Sequence, residues 1–250
     1  MQPLTDLPLL AADLGPGVRA GFTTRAGGVS TGPHAGLDLA LHVDDDPAAV
    51  AENRRRLAAW AGGPVRFGRQ VHGTAVAVVP PGPPGADAVD EPEADALVTA
   101  AAGVPLGVLV ADCVPVLLAD PVARVAAVAH AGRRGLLAGV LPEVVAAMTA
   151  AGAGPGRVRA VVGPAAGGCC YEVPAQLQAE AVAVLPETRA TTTWGTPALD
   201  LRAGAVAQLR SLGLAAVGTV GGCTVEDESL YSYRRAQRTG RFAGVVVVAP

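Results

Sequence analysis

The sequence predicts a mixed α/β (α+β) fold: mixed sheets flanked by helices in one compact domain over residues 1–250. Two observations predict it. Short, almost wholly apolar runs such as VPLGVLVADCVPVLLADPVARVAAVAHAG (104–132) and GVVVVA (244–249) are bounded by turn residues, as strands buried on both faces are. Helical patterns interleave with them, which excludes an all-β or all-α architecture. The composition agrees. Half of the 250 residues are apolar but only 3% are aromatic, so Val, Leu and Ala must fill the core. Such small side chains suit closely packed sheets and helices.

Each element has its own signal. Residues 18–24 (VRAGFTT) read as a short strand leading into the turn Ala26-Gly27-Gly28. Asp46-Pro47 opens a helix over 47–61, with Asp46 as N-cap and Pro47 at the first helical position. Short strands are expected over 64–80, around Gln70-Val71-His72. The stretch 79–96, rich in Pro, Gly and acidic residues, reads as a surface loop. Residues 104–132 read as buried strands with one tight turn. Residues 135–151 then read as a helix, 157–163 as a strand, and 174–185 and 200–213 as helices. A buried strand over 244–249 closes the chain.

Charge and cysteine usage narrow the function. The net charge is −3 and no basic run occurs, which argues against nucleic acid as a partner. All 19 basic residues are Arg. The lack of Lys excludes a Schiff-base mechanism and a P-loop lysine. An anion site must therefore use Arg, backbone N–H groups or a metal. The N-terminal stretch lacks the basic region of a signal peptide, and no apolar run is long enough to span a bilayer. The four cysteines, two of them adjacent, do not resemble a secreted disulfide framework. A cytoplasmic protein with reduced thiols, and no membrane partner, is expected.

The segment 113–130 carries the chemistry. If its two apolar runs form a hairpin around Asp120-Pro121-Val122-Ala123, pairing Ala119 with Arg124, then Cys113 falls directly across from His130. Cross-strand Cβ atoms lie about 4.5–5.5 Å apart, close enough for a thiolate and an imidazole to share one ion. A one-residue slip would separate them, and Pro115 suits only an edge or a bulge. His72, at an expected strand end and followed by Gly73, supplies a third ligand. Three protein ligands with an open position match catalytic zinc. Copper competes, because His₂Cys is also a blue-copper set, although neither Met1 nor Met148 is near these motifs for an axial contact. Four histidines (34, 42, 72 and 130) are too few for a multicopper cluster. Without metal, Cys113 could act as a nucleophile with His130 as its base, giving a thiol hydrolase. Arg25, beside the pair Gly27-Gly28, is a candidate phosphate ligand.

Taken in order, TTRAGGVS (23–30), GLDLALHVDDDP (36–47), NRRRL (53–57), QVHG (70–73), ADALVT (94–99), ADCVPVLLADP (111–121), HAGRRG (130–135), GPAAGGCCYEV (163–173) and YSYRR…TGR (231–241) cover nearly the whole chain. The ordered set resembles the family long labelled laccase-domain or polyphenol-oxidase proteins. That family is also called peptidoglycan editing factors and is now regarded as purine nucleoside phosphorylases. The resemblance implies a compact α/β fold and zinc on His72, Cys113 and His130. It implies phosphorolysis of adenosine, inosine and methylthioadenosine, and deamination of adenosine to inosine. It makes purine nucleoside and phosphate the partners, Arg25 a phosphate contact, His42 a pocket residue, and Cys170 and Tyr171 neighbours of the substrate. Arg134 is expected to assist Arg25 with phosphate. Several positions depart from the family pattern: Arg133 stands where Trp is common, Asp38 and Asp44 where Asn and Gly are, Gly168 where Pro is, and Ala205 where Asn is. None is a proposed zinc ligand. Trimming of a peptidoglycan-precursor peptide, or simple binding of a nucleotide or cell-wall fragment, are the alternatives that the family names and the pocket leave open.

Overall fold

A computed structural model describes residues 7–82 and 91–249. Residues 83–90 of the acidic, proline-rich stretch 79–96 expected as a surface loop, and residues 1–6 and 250, lie outside them. Along the chain run β1 (Leu9–Ala11), β2 (Val18–Thr23), α1 (Pro47–Ala61), β3 (Val76–Val78), β4 (Ala96–Thr99), β5 (Leu106–Val110), β6 (Val114–Asp120) and β7 (Val125–Ala131). Then follow α2 (Arg133–Ala138), α3 (Val140–Ala150), β8 (Arg159–Val162), α4 (Ala175–Val184), β9 (Arg189–Thr191), β10 (Pro197–Leu199), α5 (Leu201–Ser211), β11 (Ala216–Thr219) and β12 (Phe242–Val248).

Two large sheets, a two-stranded antiparallel β9-β10 sheet and two helical layers make the mixed α/β architecture. An antiparallel sheet has the order β1-β2-β12-β5, and a mixed six-stranded sheet has the order β11-β8-β6-β7-β4-β3. Strand alternation sorts their side chains into separate layers. Val116 and Leu118 of β6 meet Leu136, Val144 and Met148 from α2 and α3, and Leu209 from α5. Leu117 and Ala119 of β6 point the other way, toward Phe22, Val108 and Phe242 of the four-stranded sheet. The far face of that sheet, with Leu109, Ala243 and Val245, packs on Leu57 and Ala61 of α1. The central strands are buried on both faces, which is why they read as continuous apolar runs. Phe22 fits between the sheets because glycine faces it. A Cβ on Gly163 would stand 2.3 Å from its Cε1, and one on Gly244 2.9 Å.

The strand at 18–24 and the helix at 47–61 form where expected, and Asp46 accepts the Ala48 N–H at 2.9 Å as an N-cap. Four expectations need correction. The helix expected over 135–151 breaks at Gly139, whose φ of 98° only glycine adopts without strain, so α2 and α3 are separate. The stretch 104–132 holds three strands rather than two, because the chain changes sheet between β5 and β6 at Ala111–Cys113. No strand forms around Gln70-Val71-His72, and the nearest is β3. The hairpin register also differs: Pro115 faces His130 and Asp120 faces Val125, two positions from the expected pairing. The Asp120 carboxylate accepts the Val122 and Ala123 N–H groups, both at 3.0 Å, and Arg124 takes a positive φ of 59°, so four residues form the turn. Pro115 is tolerated near the strand start, one residue beyond the last β8 pairing, where its carbonyl accepts the Gly163 N–H.

Asp120 is fully buried and also accepts from Gly154 N (2.9 Å) and Arg157 Nε (3.0 Å). Burial alone would raise its pKa, but these donors outweigh it and hold the carboxyl below its ordinary value. Asp120→Ala should cost about 2–4 kcal/mol, because buried donors lose their acceptor. Since the folded pKa is depressed, the stabilisation is present above the unfolded value of about 4 and disappears as pH falls through the folded one. Urea midpoints of wild type and variant should therefore differ widely at pH 7 and converge in acid; an equal gap at both pH values would contradict this account.

Candidate active site

The site is organised by a carboxylate that precedes β4. Asp95 is 2% exposed. Its oxygens accept three successive backbone N–H groups, from Val71 (3.2 Å), His72 (2.9 Å) and Gly73 (2.7 Å). This anchoring explains why 70–73 is a tight loop and why His72 sits at a positive φ of 62°. Gln70 ties the same loop to β5, donating to the Leu109 carbonyl at 2.7 Å and accepting the Leu109 N–H at 2.9 Å. Asp95 Oδ1 also lies 2.7 Å from His130 Nδ1, on β7. With Nδ1–H donated to the carboxylate, the ring is held so that its other nitrogen faces the cluster, as carboxylates hold the histidines of metal sites.

Cys113 stands at the seam where the chain leaves one sheet for the other. Asp112 before it takes a positive φ of 90° and is held by two loops, the one after β8 and the one between β11 and β12. Its carboxylate accepts Thr224 Oγ1–H and Arg234 N–H, both at 2.6 Å, and its carbonyl accepts the Ala166 N–H at 2.9 Å. The shift of two in the hairpin register is even, so Cys113 keeps the His130 side of the sheet, diagonal to it rather than directly across.

His72, Cys113 and His130 bring one donor atom each to within 4.8 Å of one another. His72 Nε2 is 3.7 Å from Cys113 Sγ, and the two imidazoles meet edge to face with centroids 4.7 Å apart. Burial would raise the Cys113 thiol, yet hydrogen bonds and positive charge from His130 and His72 hold it at about 6. Burial would lower His130, yet Asp95 and Cys113 hold it at about 9. Burial disfavours the Asp95 carboxylate, and His130 with the Gly73 N–H more than compensates. The three donors thus form a thiolate–imidazolium group at neutral pH, in which a cation can take the place of the proton. One thiolate and two imidazoles suit zinc or copper. Gly132 leaves the space: a Cβ there would stand 2.7 Å from His72 Cδ2 and 3.3 Å from Cys113 Sγ.

The three residues lie in the lining of a cavity of about 1080 Å³. His42 and Tyr171 line it too. The lining also holds residues to which the sequence reading gave no role: Arg69, Tyr233, Arg234 and Arg241. Arg234 lies 4.4 Å over the Tyr171 ring and Arg241 5.9 Å from the Tyr233 centroid. Burial and the neighbouring Arg241 lower the His42 pKa, keeping that imidazole neutral at pH 7. Arg25, Arg134 and Cys170 do not line the cavity. Arg25 donates to the Ala35 carbonyl and lies 5.2 Å from the buried Tyr231 ring, a structural tie. Arg134 is exposed in the first turn of α2. The Cys170 thiol is 3.1 Å from that of Cys169, in a separate cluster. Asp95, Arg234 and Arg241 could have been noticed in the ADALVT and YSYRR…TGR stretches, but their roles depend on the crossing of distant loops.

No helix among the described residues is long and apolar enough to cross a membrane. The comparisons with known proteins each cover almost the whole chain. A family model described as multi-copper polyphenol oxidoreductase laccase matches residues 19–249. A purine nucleoside phosphorylase of Streptomyces griseus is 52% identical over 228 residues, 90% of this chain and 92% of that protein. Another so named, from Corynebacterium glutamicum, is 49% identical over 92% of this chain and 94% of its own length. The crystal structure of a Neisseria meningitidis protein superposes with a TM-score of 0.85 at 36% identity, covering 97% of this chain and 99% of that one. That of YlmD from Geobacillus stearothermophilus gives 0.85 at 32% identity, covering 97% and 100%. From β2 to β12, and with the His–Cys–His cluster on its cavity, the chain belongs to the polyphenol oxidoreductase laccase family.

Proposed function

We propose that this chain is a zinc-dependent purine nucleoside phosphorylase of the cytoplasm, acting on adenosine, inosine and methylthioadenosine, with adenosine deamination as a second activity. One observation carries the reading: the His72–Cys113–His130 cluster opens onto a cavity that also offers arginines and aromatic rings. The names of relatives about 50% identical over almost their whole length support it. Ligand cavities commonly measure roughly 300–1,000 Å³. One of about 1080 Å³ has room for a nucleoside and phosphate together.

In phosphorolysis a phosphate oxygen bonds to the ribose anomeric carbon. The bond from that carbon to the base breaks, and the base leaves with the electron pair and then takes a proton. Arg234 and Arg241 are assigned to phosphate, in place of Arg25 and Arg134, because they line the cavity. Tyr171 and Tyr233 offer ring faces for the base or the sugar. Neutral His42 can hydrogen-bond the base without adding charge. Asp95 fixes both histidines, through the His72 N–H and His130 Nδ1. His72, Cys113 and His130 would hold the zinc, which supplies Lewis acidity beside the substrate, the chemistry that deamination also needs. Copper could replace zinc on these donors, but no axial Met is near them among the described residues: Met148 is buried in the helical core. The thiolate–imidazolium pair would also suit a thiol hydrolase, and sensitivity to chelators separates the two.

The first test is chromatography of adenosine incubated with the protein, with and without phosphate. Phosphate-dependent adenine is expected from wild type, and its rate should fall at least ~100-fold in Cys113→Ala. Full activity in that variant would sink both the metal and the thiol readings. Arg234→Ala and Arg241→Ala should each raise the KM for phosphate about tenfold or more, as loss of a charge-assisted hydrogen bond does, and leave phosphate-free deamination nearly unchanged. Metal affinity should depend on pH. Below about 9 a proton must leave His130 for the ion to bind, so affinity should rise roughly tenfold per unit between pH 7 and 9 and then level off. Below about 6 Cys113 also binds a proton, and the slope should steepen. Competition titrations with a chelator check this; a flat profile would contradict it.

A further inference from the structure

A second group of metal-binding side chains lies away from the cavity. Cys169, Cys170 and Cys223 bring their sulfurs, and Glu226 a carboxylate oxygen, all to within 4.8 Å of one another. None of the cysteines is in a disulfide. Two separate segments build the group: the turn that follows β8 and precedes α4, and the loop between β11 and β12, joined by a bridge between Ala165 and Cys223. Cys169 Sγ is 3.1 Å from Cys170 Sγ and 3.5 Å from Glu226 Oε2. The first separation is far beyond a disulfide bond of about 2.05 Å. A zinc tetrahedron with bonds of about 2.3 Å to sulfur and 2.1 Å to oxygen has edges of roughly 3.5–3.8 Å, which small side-chain adjustments reach from here. The Gly167 N–H donates to Cys223 Sγ at 3.2 Å, so that sulfur already acts as an acceptor, as metal-bound thiolates do. A Cβ on Gly167 would lie 3.2 Å from Cys169 Sγ and 3.3 Å from Cys223 Cβ, so glycine permits the approach.

We propose that Cys169, Cys170, Cys223 and Glu226 form a second, closed metal site that binds zinc in a structural role. Four protein donors leave no open position, which separates this site from the three-donor cluster on the cavity. The site is linked to the cavity through the backbone. Tyr171 directly follows Cys170 and lines the cavity. Thr224 directly follows Cys223 and bonds Asp112, the neighbour of Cys113. Zinc here would therefore brace the Tyr171–Arg234 wall without touching substrate. The proposal does not depend on which reaction the cavity performs.

The test is the zinc content of the purified full-length protein, by elemental analysis after desalting. Two ions per chain are expected for wild type, one for Cys113→Ala and one for Cys223→Ser. With cobalt in place of zinc, Cys113→Ala should keep most of the sulfur-to-metal charge-transfer absorption, because three thiolates remain, and Cys223→Ser should lose most of it. A single ion in wild type, lost in Cys113→Ala and kept in Cys223→Ser, would overturn the proposal. So would denatured wild type in which alkylation reaches only two of the four cysteines, the mark of a Cys169–Cys170 disulfide. If Cys223→Ser does not fold, Glu226→Gln decides. Its carboxylate is on an exposed residue, and the variant should release one ion at a chelator concentration about tenfold lower than wild type. Unchanged release would overturn the assignment.

Discussion

The active site depends on the Asp95 carboxylate. It is buried, carries negative charge, and has four donors arranged around two oxygens: three backbone N–H groups and the His130 imidazole. A buried carboxylate is stable only when such partners satisfy it. The same bonds that stabilise it fix the loop carrying His72 and the ring orientation of His130. Two of the three cluster residues thus owe their positions to one side chain, and Cys113 owes its own to Asp112, which is held by three hydrogen bonds from two loops in the same way. Backbone strain at His72 and Asp112 is offset by these carboxylate contacts.

Much of the fold was legible in the sequence because it rests on local rules. Asp46-Pro47 is an N-cap followed by a first-turn proline, and α1 begins there. The apolar runs of β6, β7 and β12 are strands buried on both faces. Elements of three or four residues, such as β1, β9, β10 and β11, have too few positions to show a period. The change of sheet between β5 and β6 was hidden for a different reason. A three-residue crossover inside an apolar run looks like continued strand, and only tertiary pairing reveals it.

The candidate metal cluster was legible, and of the cavity wall only His42 and Tyr171 were, through the family resemblance. Cys113 and His130 belong to one hairpin, where the side-chain period of two survives an error of two in register. Arg25 was read as a phosphate ligand because glycines beside an arginine resemble an anion cradle, but it is absent from the cavity lining, and its Nε–H donates to the Ala35 carbonyl beside the Tyr231 ring. Arg234 and Arg241 come from the far end of the chain and reach the cavity over aromatic rings. No spacing rule connects them to His72.

The position of the His–Cys–His cluster has a mechanical consequence. The loop that carries His72 is stitched by Gln70 to β5 of the four-stranded sheet, whereas His130 belongs to β7 of the six-stranded one. Cys113 sits on the segment that passes between them. An ion held by these three residues would be a strut across the sandwich. Sliding of one sheet against the other would stretch its coordination shell, so the stiffness of the whole β-core and the geometry offered to substrate are set at the same point.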